Sequence, residues 1–155
     1  VTSNPDGQGD GFPQLLPGET ELSSPEAAEM LWRQVHPKYA DSNIITEQAF
    51  QPTSSDPKRL SCSRESLQTA QGAYEHHTQK LELQSVGTCA VTVEEAISAG
   101  TRPVDDSEVQ EQVPPTPGHT YLDYRGLSKD ERSFARDELA SFATERGFAY
   151  LPSGA

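Results

Sequence analysis

Basic residues are scarce: twelve lysines and arginines stand against twenty-four acids, for a formal charge of −12. Contact with a phosphate backbone needs a basic surface, so this balance argues against a nucleic-acid binder. Cysteine is rarer still. Cys62 and Cys89 lack the paired spacing of a zinc site, and two thiols without a secretory signal fit a reducing compartment. They are expected as small buried hydrophobes on neighbouring strands. No apolar run approaches the roughly 18 residues that a membrane span requires. The first 24 residues have neither a basic start nor an apolar stretch, which predicts no secretory signal and a cytoplasmic protein. A nucleophile elbow, a phosphate-binding glycine loop and a dinucleotide fingerprint are all missing, as are H-x-x-x-H, C-x-x-C and H-E-x-x-H. These absences predict no metal site and no cofactor.

Apolar residues make up only 33% of the chain, and proline and glycine contribute 12 and 11 residues. A length of 155 residues is enough for one domain with a real core and loop-rich attachments. The acids are unevenly placed. Residues 1–30 hold six acids and no base, and residues 105–128 hold five acids against Arg125. The remainder is close to neutral. Acidic appendages on a neutral core suit a contact with a basic protein partner.

Residues 1–23 read as a disordered acidic tail of Gly, Pro, Asp and Ser. Ser23 or Ser24 with Pro25 opens a short helix that must end before Pro37. LWRQV (31–35) is read as a strand, and so is RLSCS (59–63). Between them lies a long connection with Phe50 as a plug and a turn at Ser54–Pro57. TAQGAYEHHTQKL is a helix capped by Thr69, whose Gly72 implies close packing. The uncharged, β-branched VGTCAVTV (86–93) is the clearest buried strand, followed by a short helix that Gly100 ends. RPVDD reads as an edge strand, and the acidic, proline-rich 105–118, with PPTP at 114–117, as a surface loop. HTYLDY (119–124) alternates, with Tyr121 and Asp123 on one face and Leu122 and Tyr124 on the other. Ser128 and Glu131 form a capping box for the last helix, which Gly147 closes, and Ala135, Leu139, Phe142 and Ala143 make its apolar stripe. FAYL (148–151) returns as a final strand. The order predicts a single α+β domain over residues 24–151, with a mixed or antiparallel sheet of four to six strands, three or four helices and a disordered end at 152–155.

Histidine is the side chain that titrates where acid–base chemistry is useful, and the chain has four. His76 and His77 are adjacent on a helix, about 100° apart, which places them on different faces. His36 precedes Pro37, and His119 follows Pro117-Gly118 to open a strand. With Arg33 they are candidates to converge on a pocket from strand ends.

Arg33, then Ser61 or Ser63, then Glu94 or Glu95 resemble the arginine–serine–glutamate layout of ADP-ribosyltransferase-like enzymes. The resemblance implies a phosphate or nicotinamide-ribose role for Arg33, a strand-structuring role for Ser61 or Ser63, and a catalytic ribose contact for Glu95 or Glu94. The spacings are short for that layout, and the two glutamates are adjacent where one such family has them one residue apart. Both glutamates also suit the first turn of a helix. Separately, RQVHP (33–37), AFQPTSSD (49–56), LS (60–61), VGTCAVTVEE (86–95) and ERG (145–147) resemble a group of small bacterial proteins over about residues 31–150. That resemblance implies a bacterial cytoplasmic protein and supplies no mechanism.

Without a catalytic motif, the sequence points first to a non-catalytic binding or regulatory protein, such as the neutralising or accessory member of a bacterial toxin or defence system. The alternative is a small enzyme on an ADP-ribosyltransferase-like scaffold acting on NAD, with Arg33, His36, Ser61, Glu95 and His119 as its site.

Overall fold

The uncharged run after Gly87 becomes the strand Thr88–Thr92, of which the first four residues are fully enclosed. The computed structural model describes residues 11–53, 58–109 and 115–153. Its strands are β1 (Thr20–Glu21), β2 (Met30–Gln34), β3 (Ala40–Asp41), β4 (Ile44–Ile45), β5 (Arg59–Arg64), β6 (Thr88–Thr92), β7 (Arg102–Asp105) and β8 (His119–Asp123). The helices are α1 (Ala70–Glu75), α2 (Val93–Ser98) and α3 (Lys129–Arg146). Single 3-10 turns cover Ser24–Glu26, Pro37–Tyr39 and Glu47–Phe50, and a π turn, His76–Lys80, continues α1.

The architecture is α+β, as expected. Six strands form one antiparallel sheet in the order β1-β7-β8-β5-β2-β6, and β3 pairs with β4 in a small second sheet. Alternation along β8 sends Leu122, with Tyr124 just beyond it, into the main core beside Leu31, Val35, Val91 and Leu139. Helix α3 covers that face with Leu139 and with Ala135, Ala140 and Ala143, the alanines being small enough to suit close approach to the sheet. Its capping box is formed as expected: Ser128 Oγ accepts from Glu131 N, and Glu131 Oε1 accepts from Ser128 N. The opposite face carries a smaller cluster in which α1 packs Ala73 on Trp32 and Ala90. Thr69 caps α1 by accepting from Gly72 N, and a Cβ on Gly72 would press only on the Gln68 amide and Thr69 hydroxyl of the same turn, not on another element as that glycine implied.

Several expectations change. Strand β7 is not an edge, because β1 pairs outside it through Thr20↔Asp105 and Glu21↔Val104. Within the segment expected as a tail, Leu22 is buried and Tyr121 donates to Glu19 Oε2. Arg102 also lies 4.8 Å over the Phe12 ring and donates to Pro13 O. Isolated apolar residues without a period gave no sign of this docking. FAYL makes one bridge, Thr88↔Tyr150, rather than a strand. The expected turn at 54–57, the middle of the acidic loop (110–114) and residues 1–10 and 154–155 lie outside the described residues.

The sheet is not evenly zipped. Strand β2 pairs with β6 over five residues but with β5 only through Leu31↔Arg64 and Trp32↔Ser63. Past Trp32 the two central strands part. Glu29 and Asp105 clamp the paired end, 2.6 and 2.8 Å from Arg64. The open end is where the site forms.

Candidate functional site

Where β2 and β5 separate, their facing backbone groups lose each other as partners, and buried peptide groups must find others. Arg33 supplies them. Its Nε donates to Ala49 O at 2.8 Å and its Nη1 to Ser61 O at 2.9 Å, so the guanidinium sits in the split. A cleft of about 630 Å³ opens there, within the range typical of small-molecule sites. Trp32 forms part of its wall, fixed by a 2.8 Å bond from Nε1 to Gln68 O.

All four histidines of the chain line this cleft. His36 caps the turn at Pro37: its Nδ1 accepts from Lys38 N at 3.0 Å, so in the neutral ring the proton is on Nε2 and His36 is a donor there. His76 and His77, which the sequence placed on different helix faces, open a π turn and both line the cleft, and such turns recur at functional sites. His76 Nε2 meets Thr116 Oγ1 at 3.1 Å, which ties this wall to the loop before β8. Burial, reinforced by the Arg33 charge, holds the His77 imidazole down to about 4, and burial lowers His76 as well. Both are therefore neutral at pH 7.

His119 has the most defined surroundings. Gly118, at a φ of 67° that favours glycine, turns the chain into β8 and accepts from Arg64 N. This places His119 opposite Ser63 in register and only 6% exposed. Its Nδ1 lies 2.5 Å from Asp106 Oδ1, and its Nε2 lies 3.2 Å from Ser61 Oγ. A carboxylate accepts from Nδ1–H, so in the neutral ring the Nε2 lone pair faces the serine hydroxyl. Ser61 is exposed in the cleft. Asp106, Nδ1–H, Nε2 and Oγ–H thus form one continuous hydrogen-bonded chain that ends at an accessible hydroxyl.

Among the described residues lining the cleft, Arg33 has the one fixed positive charge and Glu82 the one carboxylate. A chain of charge −12 therefore keeps one cleft rich in hydrogen-bond donors and poor in acids. That arrangement suits an anionic ligand that also offers hydroxyl groups.

Of the five residues singled out in the sequence, Arg33, His36, Ser61 and His119 come together here. Glu95 does not. It closes the capping box of α2 with Thr92 and holds Arg146 through bonds of 2.7 and 2.8 Å. Burial pushes its carboxyl up, but Arg146 and the Thr92 amide outweigh this and hold it below its ordinary range. Glu94 is exposed on the same turn, and neither glutamate lines the cleft. Ser63 lines it but is buried. Asp106 escaped the sequence reading because an aspartate in an acidic loop carries no pattern. Among the described residues no three His, Cys, Asp or Glu side chains gather as a metal's donor set. Cys62 and Cys89 are buried thiols, which burial raises to about 11 and about 12.

No family model matches this chain, and the comparisons with curated proteins and with solved structures found no match. No helix among the described residues is long and apolar enough to cross a membrane.

Proposed function

We propose that the cleft is a catalytic site for NAD or a similar dinucleotide, breaking the bond between ribose and nicotinamide. The observation that carries this reading is the meeting of Arg33, Ser61 and His119, from three adjacent strands, at the split between β2 and β5. Arg33 keeps the phosphate role that the ADP-ribosyltransferase-like resemblance implied, while Ser61, for which that resemblance implied only a strand-structuring role, is exposed in the cleft. The catalytic contact, which that resemblance gave to Glu95 or Glu94, is in this reading made by His119 backed by Asp106.

The roles follow from chemistry. The guanidinium is fixed by two backbone carbonyls and pairs with a ligand phosphate through its remaining nitrogen. His36 donates from Nε2 to the same anionic group or to a hydroxyl. His119 takes up a proton as the glycosidic bond breaks, and Asp106 holds its ring orientation and stabilises the imidazolium. Incubation with NAD, followed by separation of the products, tests the reading. Free nicotinamide and ADP-ribose are expected, and release no faster than that of a heat-denatured control would refute it.

A second reading, docking of a basic protein partner, has separate support. Beside α3 a groove of about 460 Å³ exposes Ile44 among Glu47, Asp137 and Glu145. Apolar surface with an acidic rim complements an amphipathic, basic segment. A pull-down at low and high salt tests it: a partner is expected at low salt, and its loss from an Ile44→Glu protein would assign it to this groove.

A further inference from the structure

We infer that Ser61 is a nucleophile, activated by His119 and Asp106, that takes the transferred group covalently before water removes it. The inference rests on the dinucleotide reading only for the identity of the electrophile.

Three observations carry it. First, the chain of contacts is that of an activated hydroxyl: carboxylate to Nδ1 at 2.5 Å, then Nε2 to Oγ at 3.2 Å. A histidine and aspartate serving only to stabilise the fold would satisfy a buried hydroxyl, whereas Ser61 is exposed in the cleft. Second, the base is rigid and the nucleophile reachable. His119 is nearly enclosed, and its strand is held on both sides by β5 and β7. Third, Arg33 Nη1 is bonded to the carbonyl of Ser61 itself at 2.9 Å. A positive charge there favours an oxygen that develops negative charge and holds an anionic substrate against it. The strand position explains why the sequence shows no nucleophile elbow. The parting of β2 from β5, rather than a tight turn, exposes Ser61.

The step is a double displacement. Ser61 Oγ bonds to the ribose carbon that carries nicotinamide, and the carbon–nitrogen bond breaks, its electron pair going to the ring nitrogen, which becomes neutral. The Oγ proton passes to His119 Nε2, and the imidazolium formed faces Asp106. Water then bonds to the same carbon and loses a proton to solvent. The Oγ–carbon bond breaks as the imidazolium returns its proton to Oγ. The sum is NAD and water giving ADP-ribose, nicotinamide and one proton.

The experiment has two arms on the full chain. In one, a fluorophosphonate probe, which needs only an activated serine, is added to the wild type and to Ser61→Ala, His119→Gln and Asp106→Asn. In the other, nicotinamide release from NAD is measured for the same set, with circular dichroism confirming that each variant folds. Labelling at Ser61 is expected in the wild type, absent in Ser61→Ala and slower by about 100-fold or more in His119→Gln, the range of a lost general base. Turnover of NAD is expected to fall in parallel, and Asp106→Asn to shift its pH profile. Labelling of Ser61 without NAD turnover would leave the nucleophile standing and remove the dinucleotide reading. NAD turnover retained by folded Ser61→Ala, with no labelling of the wild type, would overturn the inference while sparing that reading.

Discussion

Arg33 decides whether the cleft can exist. It satisfies Ala49 O and Ser61 O across a gap that β2 and β5 leave unpaired. Arg33→Ala is expected to cost stability, since a carbonyl left without a partner costs about 1–3 kcal/mol, and to abolish nicotinamide release; urea titration and the NAD assay check the two effects. Asp123 shows the same economy without a functional consequence. It is fully buried between Arg102 and Arg125, and their hydrogen bonds outweigh burial to hold its carboxyl below the ordinary range. Removing one partner of a buried pair leaves an uncompensated charge, so Asp123→Ala should destabilise by about 3–5 kcal/mol in the same titration. At Glu29 the effect depends on pH. Hydrogen bonds from Arg64 hold it down to about 2, against an ordinary value of 4.5. Its folded value is depressed, so its contribution is complete above 4.5 and fades as pH falls towards 2. Glu29→Gln should therefore flatten the decline of Tm across that window.

At the scale of elements, the sequence was informative wherever a local device fixed the chain. The Ser128–Glu131 and Thr69 caps, the uncharged run of β6 and the alternation of β8 all have physical signatures within a few residues. Ser128→Ala should lower stability by about 1 kcal/mol in thermal unfolding, the usual cost of a lost cap. The pieces of the site were legible as residue types but not as a set. Arg33, His36 and His119 were identifiable because each stands near a strand end, and Ser61 only through the arginine–serine–glutamate order. Their meeting depends on β2 and β5 parting after two residue pairs, which no local pattern encodes. Glu95 misled for a physical reason: acids in a first helical turn serve capping as well as catalysis, and here the cap takes the side chain. His76 and His77 were separated by helical geometry, yet both line the cleft from the start of the π turn.

At the scale of the whole molecule, charge is partitioned. The excess acid lies on the N-terminal segment and the loop before β8, while the cleft holds Arg33 and four histidines. The N-terminal segment is also structural in part. Thr20–Glu21 extends the sheet, and Leu22 reaches the core. A chain beginning at Ser23 is expected to melt several degrees below the full chain, through loss of Leu22 and of the Glu19–Tyr121 contact; differential scanning calorimetry checks this. Lone leucines among Gly, Pro and Asp look like linker composition, so docking onto a sheet edge was invisible before the edge itself was placed.

The central claim is that His119, not Glu95, stands third beside Arg33 and Ser61. It is tested most directly by measuring nicotinamide release from NAD by the wild type, His119→Gln and Glu95→Gln side by side. The account predicts release by the wild type, a loss of about 100-fold or more in His119→Gln, and near-normal release by Glu95→Gln. Release that survives His119→Gln and disappears in a folded Glu95→Gln would contradict it.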